Sequence, residues 1–335
     1  MKASDFDYHL PEEQIAYHPE AQRQNSRLLL LNKNSGEIDH RSFFELTNFL
    51  NPGDLVVLNN TKVIPARLYG KRKSGKEVEI LLINKLGEKI WECLVKNPKN
   101  NDELEFDQGL KGTLSKNEKN NWFIEFEESV DEYIEKYGKM PLPPYINRAA
   151  QESDRVSYQT VYANEKGAIA APTAGLHFTK TLLDEIKNKG VEIEYVTLHV
   201  GIGTFKPVKV ENIEDHKMHG EFRSISTATA SAINKAKAQG RRVVAVGTTV
   251  VRTLESSVNE NDEVIAQTGQ TDLFIMPGFE FKVVDALITN FHMPRSTLLM
   301  LVSAFSDYKY IFNAYDEARE KGYRFLSYGD AMFIN

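Results

Sequence analysis

The sequence predicts an α/β main domain interrupted by a small antiparallel β-sheet or barrel. Three observations predict it. In the C-terminal half a helix, a glycine and a strand follow one another repeatedly. Between Arg67 and about Phe126 the pattern changes to short β-type runs separated by polar loops. And 335 residues exceed what a single core usually holds, roughly 250.

The elements follow in order. Ser42 and Glu45 have capping-box spacing ahead of Phe43, Leu46, Phe49 and Leu50, which share a helical face until Asn51-Pro52-Gly53 ends it. "DLVVLNN" (54–60) reads as a buried strand. "EVEILLI" and "KIWECLV", bounded by "KNPKNNDE" and "SKNEKNN", belong to the antiparallel module, and Cys93 inside the second run is a packed thiol without chemistry. "MPLPPYINR" (140–148) cannot be regular helix, because its prolines remove donors and restrict their neighbours. It is the connector that leaves the inserted module. These boundaries place residues 1–61 and 150–335 in a discontinuous α/β domain and 62–149 in the insertion.

Beyond the connector, "TKTLLDEIKNKG" leads into "VEIEYVTLHV", "TATASAINKAKAQG" into "RRVVAVG", and "YKYIFNAYDEAREKG" into "YRFLSYG". Gly190, Gly240 and Gly322 suit the left-handed turn after each helix.

Composition narrows the class. Hydrophobic content of 41% beside 26% charged residues is that of a soluble globular protein. A net charge of -6 argues against nucleic acid as a partner of the chain as a whole, although one face can still gather Lys and Arg. One cysteine excludes an internal disulfide framework and fits a reducing cytoplasm. The start, "MKASDFDYHLPEEQ", carries acids where a signal peptide needs an apolar stretch, and no apolar run is long enough for a membrane span.

Several segments carry candidate chemistry. "AIAAPTAGLHFT" (168–179) places small residues and Gly175 between a strand and a helix, where backbone can approach a ligand. His177 and Phe178 then offer a proton carrier and an aromatic face, unless the histidine is structural. "HVGIGTF" (199–205) fails as a dinucleotide turn: Lys206 stands where the third glycine belongs, and Pro207 disfavours an immediate helix. A methyltransferase-type glycine loop and a plain structural turn both remain open. "EDHKMHGE" supplies His216, His219 and Glu221 without HExxH spacing, so acid/base or hydrogen-bonding use is preferred over metal. "RRVVAVGTTVVRTLES" runs from a strand through Gly247 to Thr248 and Thr249 at a helix start suited to a carboxylate or phosphate. On that helix Arg252 and Glu255 share a face. "ALITNFHMPRSTLLMLVSAF" repeats the plan with a helix apolar nearly all round, hence buried.

Together with "LPEEQIAYHP", "LVVLNNTKVIPARL", "LHVGIGTFKPV" and "TDLFIMPGFEF", these segments resemble the S-adenosylmethionine:tRNA ribosyltransferase-isomerase family of queuosine biosynthesis across nearly the whole chain. The resemblance implies an α/β domain interrupted by a β-barrel. It implies transfer of the ribosyl part of S-adenosylmethionine, a co-substrate, to the aminomethyl group of a 7-deazaguanine base in the tRNA anticodon loop. Epoxyqueuosine forms, and adenine and methionine leave. No permanently bound cofactor, metal or membrane is expected, and a monomer is.

Within that scheme His177 and His199 are the preferred acid/base candidates, since imidazole works in both directions near neutral pH. Glu255, His219 and Glu221 are further catalytic candidates. Thr173, Gly175, Gly201, Gly203, Thr204, Thr248, Thr249 and Arg252 are assigned to S-adenosylmethionine, with Phe178 or Phe291 facing the sulfonium or a base. Arg148, Lys206, Arg241, Arg242 and Arg295 are assigned to tRNA phosphates. A methyltransferase and a tRNA-binding module without chemistry are the alternatives, and the fate of the cofactor separates all three.

Overall fold

In a computed structural model, which describes residues 1–201, 208 and 210–335, the chain forms two compact units. Met1–Thr61, Thr160–Glu165 and Ala171–Asn335 make the first; Lys62–Gln159 and Lys166–Ala170 make the second.

Arg27–Leu31 (β1) and Ile38–Ser42 (β2) pair as an antiparallel hairpin, and Leu55–Asn59 (β3) follows. Every residue of β3 is buried, which is why it reads as an unbroken apolar run without alternation. Between β2 and β3 the expected helix is present as a 3-10 helix, Phe43–Phe49. Phe43, Leu46 and Phe49 recur every three residues, the period that lines up one face of a three-fold helix. The backbone amide of Ser42 donates to Glu45 at 2.8 Å, half of the capping box read from the sequence.

Thr61–Val63 (β4) leads out of the first unit. Arg67–Arg72 (β5), Glu77–Lys85 (β6), Ile90–Val95 (β7), Asp102–Glu105 (β8), Lys111–Lys116 (β9) and Trp122–Phe126 (β10) close into a barrel in the order β10-β7-β6-β5-β8-β9, with antiparallel neighbours throughout. Its interior leaves no room for two further side chains. A Cβ on Gly70 would stand 2.9 Å from the Phe106 ring, and one on Gly112 would stand 3.0 Å from both Ile124 and Phe126. Cys93 is buried, and burial pushes its thiol up to about 12, so it stays protonated and inert. Short helices Asp131–Tyr137 (α1) and Asp154–Ser157 (α2) flank the non-helical proline connector, and Glu165–Ala168 (β11) leads back.

The first unit resumes with Lys180–Asn188 (α3), Glu192–Leu198 (β12), Glu221–Ile225 (β13), Thr227–Ala238 (α4), Val243–Val246 (β14), Thr248–Glu255 (α5), Gln267–Thr271 (β15), Ala286–Asn290 (β16), Thr297–Phe305 (α6), Tyr308–Glu320 (α7) and Ala331–Ile334 (β17). Among the described residues its sheet has the order β15-β13-β12-β3-β14-β16-β17-β1-β2. At its centre β12, β3, β14 and β16 are mutually parallel.

Thr179, Ser226 and Ser296 cap α3, α4 and α6 by accepting from the amide three residues on. Gly190, Gly240 and Gly322 take positive φ after α3, α4 and α7, as expected. One expectation fails. "YRFLSYG" does not form the strand after α7, because Leu326 turns into the left-handed region and the amides of Gly329 and Asp330 fold back onto Leu326 and Arg324. Apart from a single bridge between Phe325 and Ile15, pairing begins at Ala331.

One face of the sheet packs Val56, Leu58, Val244, Val246 and Ile288 against Phe43, Leu46, Phe178, Leu182 and Ile186. Burial of such side chains contributes about 1.5–3 kcal/mol each. The central strands are therefore rigid supports for whatever stands at their ends.

Candidate active site

In open α/β sheets, ligands bind beyond the carboxyl ends of parallel strands. Asn59, Leu198, Val246 and Asn290 end β3, β12, β14 and β16 side by side, and the segments following them hold most of the sequence-derived candidates.

His199 follows β12. Its Nδ1 lies 2.7 Å from the Thr61 hydroxyl and its ring stacks on Phe222, centroids 5.0 Å apart at 19°. The imidazole is half-buried, and burial lowers its pKa, with Glu165 opposing. Its Nε2 has no hydrogen-bond partner among the described residues and is not one of the buried unpaired atoms.

His177 is held differently. Asn290 Nδ2 lies 3.1 Å from the Leu326 carbonyl, which fixes the orientation of the amide, and 3.3 Å from His177 Nε2. That nitrogen therefore accepts, and Nδ1–H donates to Ser26 Oγ at 2.7 Å, whose own hydroxyl donates to the Arg23 carbonyl at 3.2 Å. Sealed in this chain and stacked on Phe43, His177 has its pKa pushed down to about 4 by burial. Both ring nitrogens serve the fold, the structural alternative left open by the sequence.

The remaining candidates divide similarly. Gly175 is required where it stands, because a Cβ there would lie 2.0 Å from the Tyr162 hydroxyl. Thr173 opens the 3-10 helix Thr173–His177 and is half-buried. The amide of Gly201 donates to Glu221 at 2.8 Å; Glu221 also pairs with Arg252, whose Nε reaches the Leu273 carbonyl at 3.1 Å. Both charged groups are buried, so the carboxylate and the guanidinium anchor the start of the glycine segment and are not free to bind ligand. Arg252 and Glu255 do not pair with each other. The Glu255 carboxylate accepts from the amides of Lys282, Val283 and Val284 at 2.9, 3.1 and 3.0 Å, while burial raises its pKa. Thr248 and Thr249 are buried, not exposed, and Thr249 Oγ1 lies 3.2 Å from the side-chain amide of Asn59. His219 is exposed, and no group of three or more potential metal ligands gathers among the described residues.

The aromatic assignment is corrected. Phe178 meets Phe43 edge-on and Phe291 packs among Tyr315, Tyr323 and Phe325, each with no exposed surface. Apolar area drew both rings into the core. Gly203, Thr204 and Lys206 lie outside the described residues. Of the arginines, Arg148 grips Asp154 through both terminal nitrogens at 2.7 and 2.8 Å, Arg242 pairs with Asp54, Arg241 with Glu192, and Arg295 with Asp7. Arg241 and Arg242 precede β14 and face the amino ends of β3 and β12, opposite the histidines. Asn59, Thr61 and Ser26 were not singled out by sequence, since nothing local marks a strand-end amide or hydroxyl as a partner of residues far along the chain.

Fold and site together define an α/β protein with a closed barrel inserted after its third strand and a largely neutral polar site at the carboxyl ends of its parallel strands. Comparison with known proteins gives the family. The queuosine biosynthesis protein family matches residues 3–334, and the chain belongs to it. Relatives named S-adenosylmethionine:tRNA ribosyltransferase-isomerase, from Halothermothrix orenii and a Sulfurihydrogenibium species, are 50% and 51% identical, with all of both chains covered. The crystal structure of an S-adenosylmethionine tRNA ribosyltransferase from Thermotoga maritima is 41% identical, covers 99% of this chain and 100% of its own, and superposes with a TM-score of 0.59. Among the described residues no helix is long and apolar enough to cross a membrane.

Proposed function

We propose that this chain is an S-adenosylmethionine:tRNA ribosyltransferase-isomerase. It moves the ribosyl part of S-adenosylmethionine to the 7-aminomethyl-7-deazaguanine of tRNA, forming epoxyqueuosine and releasing adenine and methionine. The observation that carries this reading is identity of 50% or more to relatives of that name, end to end.

The chemistry suits the site. The sulfonium acidifies the neighbouring C5' hydrogens, so a carbanion-like ylide forms once a positioned base takes one of them, and the departing adenine gathers negative charge that fixed donors can stabilise. His199, whose Nε2 has no partner among the described residues, is the imidazole that meets the substrate; His177 supports the floor. Gly201 lets backbone approach the nucleoside. Glu221 and Arg252 hold Gly201 in place. Arg295, half exposed in its pair with Asp7, is the phosphate contact nearest the end of β16.

Incubation with S-adenosylmethionine and tRNA carrying the aminomethyl base, followed by chromatography, tests the reading. Free adenine and methionine are expected. S-adenosylhomocysteine would replace this reading with a methyltransferase, and no small product would leave a binding module.

A further inference from the structure

The triplet Asn59-Asn60-Thr61, at the end of β3, has no role in the scheme above, yet it is the most fully bonded polar cluster beside His199. The Asn59 amide uses all four of its hydrogen-bonding positions. Nδ2 donates to the Leu198 carbonyl at 3.0 Å and to Thr249 Oγ1 at 3.2 Å, and Oδ1 accepts from the amides of Leu198 and Thr61, both at 3.1 Å. Asn60 Oδ1 accepts from the Thr197 hydroxyl at 2.7 Å. One strand end thus fixes the segment before His199, the start of α5 and the backbone of Thr61.

Thr61 is fully buried. Its hydroxyl carries a proton that needs an acceptor, and among the described residues only His199 Nδ1, at 2.7 Å, is within reach. A buried donor left unpaired costs about 1–3 kcal/mol, whereas an unused lone pair is better tolerated. The hydroxyl therefore donates to Nδ1, and the proton of the neutral ring resides on Nε2. Stacking on Phe222 holds the ring in plane.

We propose that Thr61 is a positioning residue that locks His199 as its Nε2–H tautomer, so that the imidazole serves as a neutral hydrogen-bond donor to the departing nitrogen heterocycle and not as a base. The inference deepens the proposed function and rests on its placement of His199 against the substrate. A neutral N–H needs no deprotonation to act and stabilises charge only as it develops.

The test is nitrogen NMR on the full-length protein with isotope-labelled histidine at neutral pH, the His199 signals being assigned by their loss in His199→Gln. The wild type should show an unprotonated Nδ1 and a protonated Nε2. Thr61→Val should release the tautomer toward a mixture and slow adenine formation about 10- to 100-fold, the scale of one hydrogen bond, with KM for S-adenosylmethionine unchanged. Thr61→Ser should restore both. A wild-type ring protonated at Nδ1, or a Val variant with unchanged tautomer and turnover, overturns the proposal. Should the Val variant not fold, the wild-type spectrum and the Ser variant still decide it. If the wild type released no adenine, the activity reading would fall while the NMR arm still judged the tautomer.

Discussion

The two ends of the parallel strands satisfy their polar groups in opposite ways. At the amino ends the currency is formal charge. Arg242 and Asp54 pair before β14 and β3, Arg241 meets Glu192 at the start of β12, and Asp285, just before β16, receives Lys237 at 2.8 Å while capping the amide of Val243. At the carboxyl ends the groups are amides, hydroxyls and imidazoles in directional chains, with the buried Glu221–Arg252 pair set behind them. Charges hold strands together while tolerating small movements and solvent. Neutral hydrogen-bond chains fix tautomers and ring planes, which is what a site acting on developing charge needs.

The sharpest way to break this comparison is to remove one group from the neutral end. His199→Gln should lower turnover by about 10²- to 10³-fold, the usual loss when a preorganised donor is deleted, with the fold and thermal midpoint little changed. Adenine release at saturating S-adenosylmethionine measures it. Turnover near that of the wild type would remove His199 from the site.

His177 should answer to acid before it answers to substrate. Its pKa is about 4 in the fold against about 6.5 unfolded, so between those values the unfolded chain binds more protons and stability falls as pH falls. The loss across that window is about 3 kcal/mol. His292, hydrogen-bonded to Thr289 at 2.8 Å and pushed down to about 3 by burial, adds to it. Urea midpoints at pH 7 and pH 4.5 should differ accordingly, and His177→Asn should shrink the difference. An unchanged pH dependence in that variant would return a titrating role to His177.

What the sequence disclosed follows the same division. Strand β3, the Gly247 turn and the short β-type runs of the barrel depend on neighbours a few residues apart, and each was legible. The Phe43 helix differed only in winding, with a three-residue apolar spacing already present in the letters. The bonds that build the site join residues far apart. Asn59 meets Leu198 and Thr249, Ser26 meets His177, and Glu221 meets Arg252; no local pattern encodes those distances. Glu255 shows the consequence: its helical spacing to Arg252 suggested a pair, but the three amides at 282–284 outcompeted the arginine. Phe178 and Phe291 fall on the same side of the lesson, because an aromatic next to a polar loop reads as a ligand face until the core that claims it is known.

The smallest effect lies at the charged end. Arg242→Ala deprives Asp54, whose side chain is 4% exposed, of its cationic partner. Asp54 keeps the amide of Asn51 at 2.7 Å, and Arg242 is itself 30% exposed, so the pair is partly screened. Destabilisation of about 1–2 kcal/mol is expected, below the full loss for a buried ion pair, with turnover unchanged. The informative measurement is tRNA affinity against salt. Each phosphate contact adds about 0.7–0.9 to the slope of log affinity against log salt, and Arg242, engaged with Asp54 opposite the histidines, should contribute none. A slope reduced by nearly one in the variant would make the amino end a nucleic-acid surface and erase the distinction between the two ends.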